Sequence, residues 1–257
     1  MKICDTHCHI GLLYQNSIEQ IRVIDDAKRV GVEVIISVNT NLSDFYSSYQ
    51  NIKNIPNIYH TIGLCPEEVD KPIKDWEISM KEGLGYDKVV AVGEIGLDYF
   101  HKYGDRNKQI EFFLKQLAIA SDFNKPVVVH NRMAREDMES ILKSKLPSAG
   151  GIMHCFSEDY DFAVKMMDLG MFISFAGNLT YKNAKNLHDV AKRIPVEYLV
   201  VETDSPFLPP ASQRGKRNHP ANIVETVKYL ADIRGVNADE LSEIMFENSM
   251  RAFKINR

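Results

Sequence analysis

Eight short apolar runs, each followed by a stretch long enough for a helix, restrict this chain more than any other feature. The runs are rich in β-branched residues: Lys2–Thr6, Val32–Val38, Ile58–Gly63, Val89–Gly93, Pro126–Val129, Gly151–His154, Phe172–Phe175 and Tyr198–Glu202. Strand then helix, eight times over, demands parallel strands joined by right-handed crossovers. Dividing 257 residues by eight gives about 32 per unit, room for a strand, a helix and two short loops. The pattern therefore predicts an α/β fold, a closed (β/α)8 TIM barrel occupying 1–257 as a single domain. An open doubly wound sheet is the alternative, but no Gly-rich dinucleotide fingerprint follows the first strand.

The intervening segments carry helical periodicity. Ser17–Val30 opens with Ser17 and Gln20 at capping-box spacing. In Asp105–Ser121, Ile110, Phe113, Leu114, Leu117 and Ala118 recur at one-face spacing and are expected to turn inward. Two more helices close the chain: Pro220–Arg234, and one from about Ala238 with Leu241, Ile244 and Met245 inward and Asn237 and Glu240 as its cap.

In such barrels chemistry sits where the strands end. The first strand leads into Asp5-Thr6-His7-Cys8-His9, whose two imidazoles project from one face because strand side chains alternate. Glu94 follows the fourth strand, His130 the fifth, His154 the sixth and Asp204 the eighth. Four histidines and two carboxylates thus converge on one mouth, and burying that many titratable groups is unfavourable without a compensating cation. A natural division gives one ion His7, His9 and Asp204 and the other His130 and His154, with Glu94 bridging. Two cations about 4 Å apart clamp an oxygen and activate the water between them. Mixed imidazole and carboxylate donors suit Zn, Mn or Fe and allow Mg at the carboxylate-rich half. Cys8 and Cys155 adjoin ligands, but alternation is expected to turn them away.

With these residues in place, the sequence resembles the TatD family of metal-dependent hydrolases. The resemblance rests on Asp5-Thr6-His7-Cys8-His9, Gly93-Glu94-Ile95-Gly96-Leu97-Asp98-Tyr99, Val129-His130-Asn131-Arg132, His154-Cys155-Phe156-Ser157 and Glu202-Thr203-Asp204-Ser205-Pro206. The basic loop Arg214-Gly215-Lys216-Arg217-Asn218 also fits, and the motifs run in order from residue 3 to about 250. It implies a TIM-barrel relative of the amidohydrolases, metal ligands at His7, His9, Glu94, His130, His154 and Asp204, and divalent-metal-dependent DNase activity, often 3′ to 5′ on single strands. One departure stands out. Many members carry His-Pro after the third strand, where this chain has Gly63-Leu64-Cys65-Pro66; that histidine is thought to face the phosphate or leaving group. A thiol is a weak donor. Either another group, such as His219 or Arg132, covers the role, or turnover and substrate range differ; His60 lies too far down its strand.

The expected chemistry is hydrolysis by a metal-activated water, with Asp204 accepting its proton and Glu94 setting the spacing of one or two ions. Glu202 and Asp5 share face parity with the ligands and are expected to fix histidine tautomers. Arg132 and the loop Arg214, Lys216 and Arg217 are expected to hold phosphate, with Cys65 and Tyr99 facing the substrate and Tyr99, Phe100 and Phe207 able to stack on bases. DNA is the expected partner. Two other readings compete: hydrolysis of carboxylic esters or amides, as by an aminoacyl-tRNA deacylase, and a silent metal-stabilised binding module.

Composition sets outer limits. A formal charge of −4 argues against non-specific coating of nucleic acid, so a polyanion would need a local basic patch or a cation. Cys4, Cys8, Cys65 and Cys155 form no CxxC pair and read as reduced thiols, which suggests the cytoplasm. The chain starts straight into a strand, so no signal peptide is expected, and no uncharged run nears the ~18 apolar residues of a membrane span. A monomer is the default.

Overall fold

A computed structural model describes residues 1–256; residue 257, the last of the expected domain, lies outside the described part. Its eight parallel strands pair in sequence order: β1 Ile3–Cys8, β2 Val32–Ser37, β3 Ile58–Ile62, β4 Val89–Asp98, β5 Val127–Arg132, β6 Gly151–Met153, β7 Met171–Phe175 and β8 Leu199–Val201. The chain leaving β8 then meets β1. Asp204 N–H donates to His7 O at 2.8 Å, and His9 N–H donates to Ser205 O at 2.8 Å. Helices alternate with the strands, so the fold is the nearly closed (β/α)8 TIM barrel that the pattern predicts.

Apolar side chains from the strand beginnings, among them Cys4, Val34, Ala91, Val128, Ile152 and Val200, cluster with Phe246 and Met250 of the final helix. Larger residues such as Phe45, Phe113 and Phe162 fill the layer between sheet and helices. Titratable groups gather at the far ends of the strands, with His60, buried midway along β3, an exception.

Several expected boundaries shift. β4 and β5 do not stop at Glu94 and His130 but pair onward to Asp98 and Arg132, so both ligand candidates lie within strands. Gly96 allows this: its φ is +152°, and a Cβ there would lie 2.0 Å from His130 O. The second helix, Ser17–Arg29, is capped by Asn16, which accepts Glu19 N–H, while Gln20 donates to Tyr14 O instead of completing a box with Ser17. Helix Arg106–Asp122 is rotated from its expected face. Ala118 is exposed, and Gln109 and Gln116 are buried because their amides pair with backbone at the strand exits, Asp98 and Leu64. In the last helix, Ala238–Ala252, Asn237 caps and Leu241 and Met245 are buried, but Ile244 is 42% exposed, one position off the buried stripe.

Candidate metal centre

The closing seam assembles the first half of the site. His7 lies on β1 and His9 just beyond it, with their Nε2 atoms 3.1 Å apart. The two seam hydrogen bonds draw Asp204, held at φ 54°, against this pair. Its Oδ1 lies 3.3 Å from His9 Nε2 and 3.8 Å from His7 Nε2. Glu94, on β4, reaches both halves. Its Oε2 is 3.5 Å from His7 Nε2 and 3.8 Å from His9 Nε2, while Oε1 is 2.9 Å from His130 Nδ1 and 3.0 Å from His154 Nε2. Donor atoms of His7, His9 and Asp204, and separately of Glu94, His130 and His154, fall within 4.8 Å of one another. The six residues expected to meet therefore do meet.

A surrounding layer orients them. Glu202 Oε1 faces His154 Nδ1 at 3.2 Å and accepts Cys155 N–H, as expected of a carboxylate that fixes a tautomer. Asp5 contributes differently: it accepts Thr203 N–H and O–H and His7 N–H, so it ties backbone and touches no imidazole. Val38 O lies 3.2 Å from His9 Nδ1. Asp98 was not foreseen. Its Oδ2 lies 3.3 Å from His130 Nε2 and 2.7 Å from His101 Nδ1, and its Oδ1 accepts the N–H groups of Phe100 and His101. Ending β4 at Glu94 concealed it; two pleats further on it shares Glu94's face parity.

Electrostatics follow from packing these groups out of water. Burial, with the neighbouring His154 charge, pushes His7 down to about 3. Burial also disfavours charge on His154, His130 and His9, but adjacent carboxylates overcome it: Glu94 and Glu202 raise His154, Asp98 and Glu94 raise His130, and Asp204 and Glu94 raise His9. Glu94 is held well below its usual range against burial by His154, His130 and His7. Burial carries Asp5 up to about 7.

The donor set fits divalent cations. Glu94 Oε1 sits between two imidazole nitrogens, and two further imidazole nitrogens face each other across 3.1 Å. The buried His7 Nδ1 and Glu202 Oε2 have no partner. Nitrogen and oxygen donors in this mixture suit Zn, Mn or Fe, with Mg favoured only by the carboxylates.

The cluster floors a cavity of about 490 Å³. Cys65, Arg132 and Phe207 line it, as do Glu67, Glu68 and Tyr103, which no motif in the sequence marks. Cys155 also lines it, contrary to expectation: β6 ends at Met153, so strand alternation no longer governs residue 155, and φ there is 44°. Tyr99 does not reach this cavity. Its hydroxyl donates to Asp137 and its ring borders a second cavity beside the first. Arg214, Lys216 and Arg217 are likewise absent from the lining: Arg214 packs over Tyr181, Lys216 bonds Gln213, and Arg217 bonds Leu12 O over Tyr14. His219 accepts Ala221 N–H and is also outside, so of the two candidates for the missing histidine's role only Arg132 lines the site.

Residues 4–254 match the family model described as TatD related DNase. The chain belongs to the TatD family. A TatD-family match of this extent leaves few residues uncovered at either end. The uncharacterized metal-dependent hydrolase YcfH of Escherichia coli K12 is 36% identical over 262 residues, covering 100% of this chain and 97% of that protein. YabD of Bacillus subtilis, also named an uncharacterized metal-dependent hydrolase, is 37% identical across 98% of this chain and 99% of its own length. Among solved structures, the TatD homolog YJJV of Escherichia coli K12 superposes with a TM-score of 0.91 at 29% identity, covering 99% of this chain and 98% of that one. The protein is thus a TatD-family metal-dependent hydrolase with His, Asp and Glu clusters able to hold metal. Among the described residues no helix is long and apolar enough to cross a membrane.

Proposed function

We propose that the protein is a phosphodiesterase acting on DNA, a 3′ to 5′ exonuclease on single strands. The observation that carries this reading is Glu94, whose two oxygens face the two ligand groups separately, the arrangement a two-ion site requires. The family model's own description as DNase supports the substrate. Divalent ions held there would supply Lewis acidity and lower the pKa of water toward neutrality.

The protein's residues do the remainder. Asp204, nearly buried on the cavity wall, orients the attacking water and accepts its proton at the carboxylate. Arg132 is the one Lys or Arg among the described residues lining the cavity, and it meets the phosphate. Burial and the nearby Glu94 push the Cys65 thiol up, so it remains neutral and cannot provide the charge of an imidazolium. On this reading Arg132 carries what the family histidine otherwise contributes. The protein acts as a cytoplasmic monomer whose partner is its substrate.

The test is a 5′-labelled single-stranded oligonucleotide with Mg²⁺ or Mn²⁺, beside an aminoacyl ester. A product ladder abolished by chelation and by Asp204→Asn is expected. An intact oligonucleotide with a hydrolysed ester would transfer the site to the carboxylic-ester reading.

A further inference from the structure

Beside the metal cavity lies a second one of about 670 Å³, formed by residues following β4, β5 and β6. Arg132 and Ser157 line both, so the two adjoin at the Arg132 side chain. Two apolar side chains of the second cavity are open to solvent. Phe100 is 51% exposed and Met133 is 69% exposed, the latter held at φ 55°. The Arg132 guanidinium lies over the Phe100 ring, 4.9 Å from its centre, which orients a cation at the junction.

The charges sort by position. Arg106 is neutralised by a two-pronged bond to Asp137, and Arg135 by Asp159, so neither offers the cavity an unmatched positive charge. On the β3 side of the metal cavity the lining carries Glu67 and Glu68, which repel a phosphate chain. Arg132, the one cation among the described residues that lines both cavities, marks the β5 side as the path of the strand. Beyond Arg132 lie a flat ring, a flexible thioether, two ion pairs and the carboxylates of Glu136 and Glu158, which repel a phosphate. Such a surface suits a neutral planar group, not a second phosphate.

We propose that this second cavity is a nucleobase subsite: with the scissile phosphodiester at the metal cluster, Arg132 contacts the phosphate, and the base of the adjoining nucleotide stacks between Phe100 and Met133. The proposal rests on the DNA-phosphodiesterase reading and adds where the strand runs. Every base has a π-face, so the subsite holds the strand without reading its sequence.

The experiment separates the two. Binding of labelled single-stranded oligonucleotides is measured by fluorescence anisotropy with Ca²⁺ and Asp204→Asn protein, so that no turnover intervenes. Cleavage is measured with Mn²⁺ and unaltered protein. The oligonucleotides are intact or carry one abasic nucleotide, moved along the strand from the 3′ end. An abasic nucleotide at one position is expected to weaken binding about tenfold, and Phe100→Ala and Met133→Ser to abolish that discrimination while raising KM more than they lower kcat. Both side chains are largely exposed, and circular dichroism together with metal content confirms folded protein. Cleavage with equal binding of intact and abasic strands at every position overturns the subsite and leaves the phosphodiesterase reading standing. Binding that discriminates without cleavage removes that reading and retains an oligonucleotide site. Neither binding nor cleavage overturns both.

Discussion

Asp98 joins the metal cluster to the protein surface through two imidazoles, His130 inside and His101 outside. By accepting from His130 Nε2 it leaves Nδ1, the atom nearest Glu94, as the donor to a cation. Asp98→Asn should weaken metal binding in the β5–β6 half by about 10- to 100-fold while the β1–β8 half keeps its affinity. Calorimetric titration with Zn²⁺ or Mn²⁺ resolves the two, and two unchanged affinities would remove Asp98 from the site. His60 gives a second prediction at this scale. It is buried among Phe45 and Tyr49 with neither ring nitrogen partnered, and burial, then the nearby Lys88, pushes it down to about 3. Its reference value is 6.5, so between these limits the unfolded chain binds a proton that the folded chain refuses. Stability is therefore lost as pH falls from 6.5 toward 3, at up to about 1.4 kcal/mol per pH unit. Urea unfolding at several pH values should show this loss, and His60→Phe should flatten it.

At the scale of elements, helix Arg106–Asp122 holds two strand exits by side-chain amides. Gln116 bonds both Leu64 N–H and Leu64 C=O, next to Cys65, and Gln109 does the same for Asp98. These contacts explain why the helix turns glutamines, not Ala118, to the barrel. Gln116→Leu leaves both Leu64 backbone groups buried and unpaired, and should cost about 1–3 kcal/mol, read as a lower melting temperature and faster amide exchange at Leu64. The basic loop behaves differently. Arg214 and Arg217 are already engaged by Tyr181, Tyr14 and Leu12 O, outside the cavity. If all three charges met phosphates, changing Arg214, Lys216 and Arg217 to Ala would flatten the salt dependence of single-strand binding by roughly 2. From their placement the expected change is smaller, and Arg132→Ala should by itself reduce the slope by about 0.7.

For the whole molecule, the cluster spans β1, β4, β5, the end of β6 and the chain beyond β8, so cations there would bind the barrel across its closing seam. Metal at 100 times its dissociation constant should add about 2.7 kcal/mol. For a chain of this size that raises the melting temperature by roughly 5–10 °C. Calorimetry with and without chelator measures it, and Asp204→Asn should shrink the shift. The strand-helix alternation was readable from the residues because hydrophobic period and chain length are local properties, and the six ligand candidates followed because barrel strands all point the same way. Asp98, the turn of Cys155 into the cavity and the absence of the basic loop from it were not readable. Each depends on where a strand stops pairing or which loop meets which, and those outcomes are set by contacts between segments far apart in sequence. The sequence by itself determined the barrel and the six side chains that gather at its mouth, since both rest on side-chain type and period. Only the tertiary structure decided which groups surround that set, because a β1–β8 seam and a β4–β5 ladder form by pairing backbone, whose hydrogen bonds carry no residue-by-residue code.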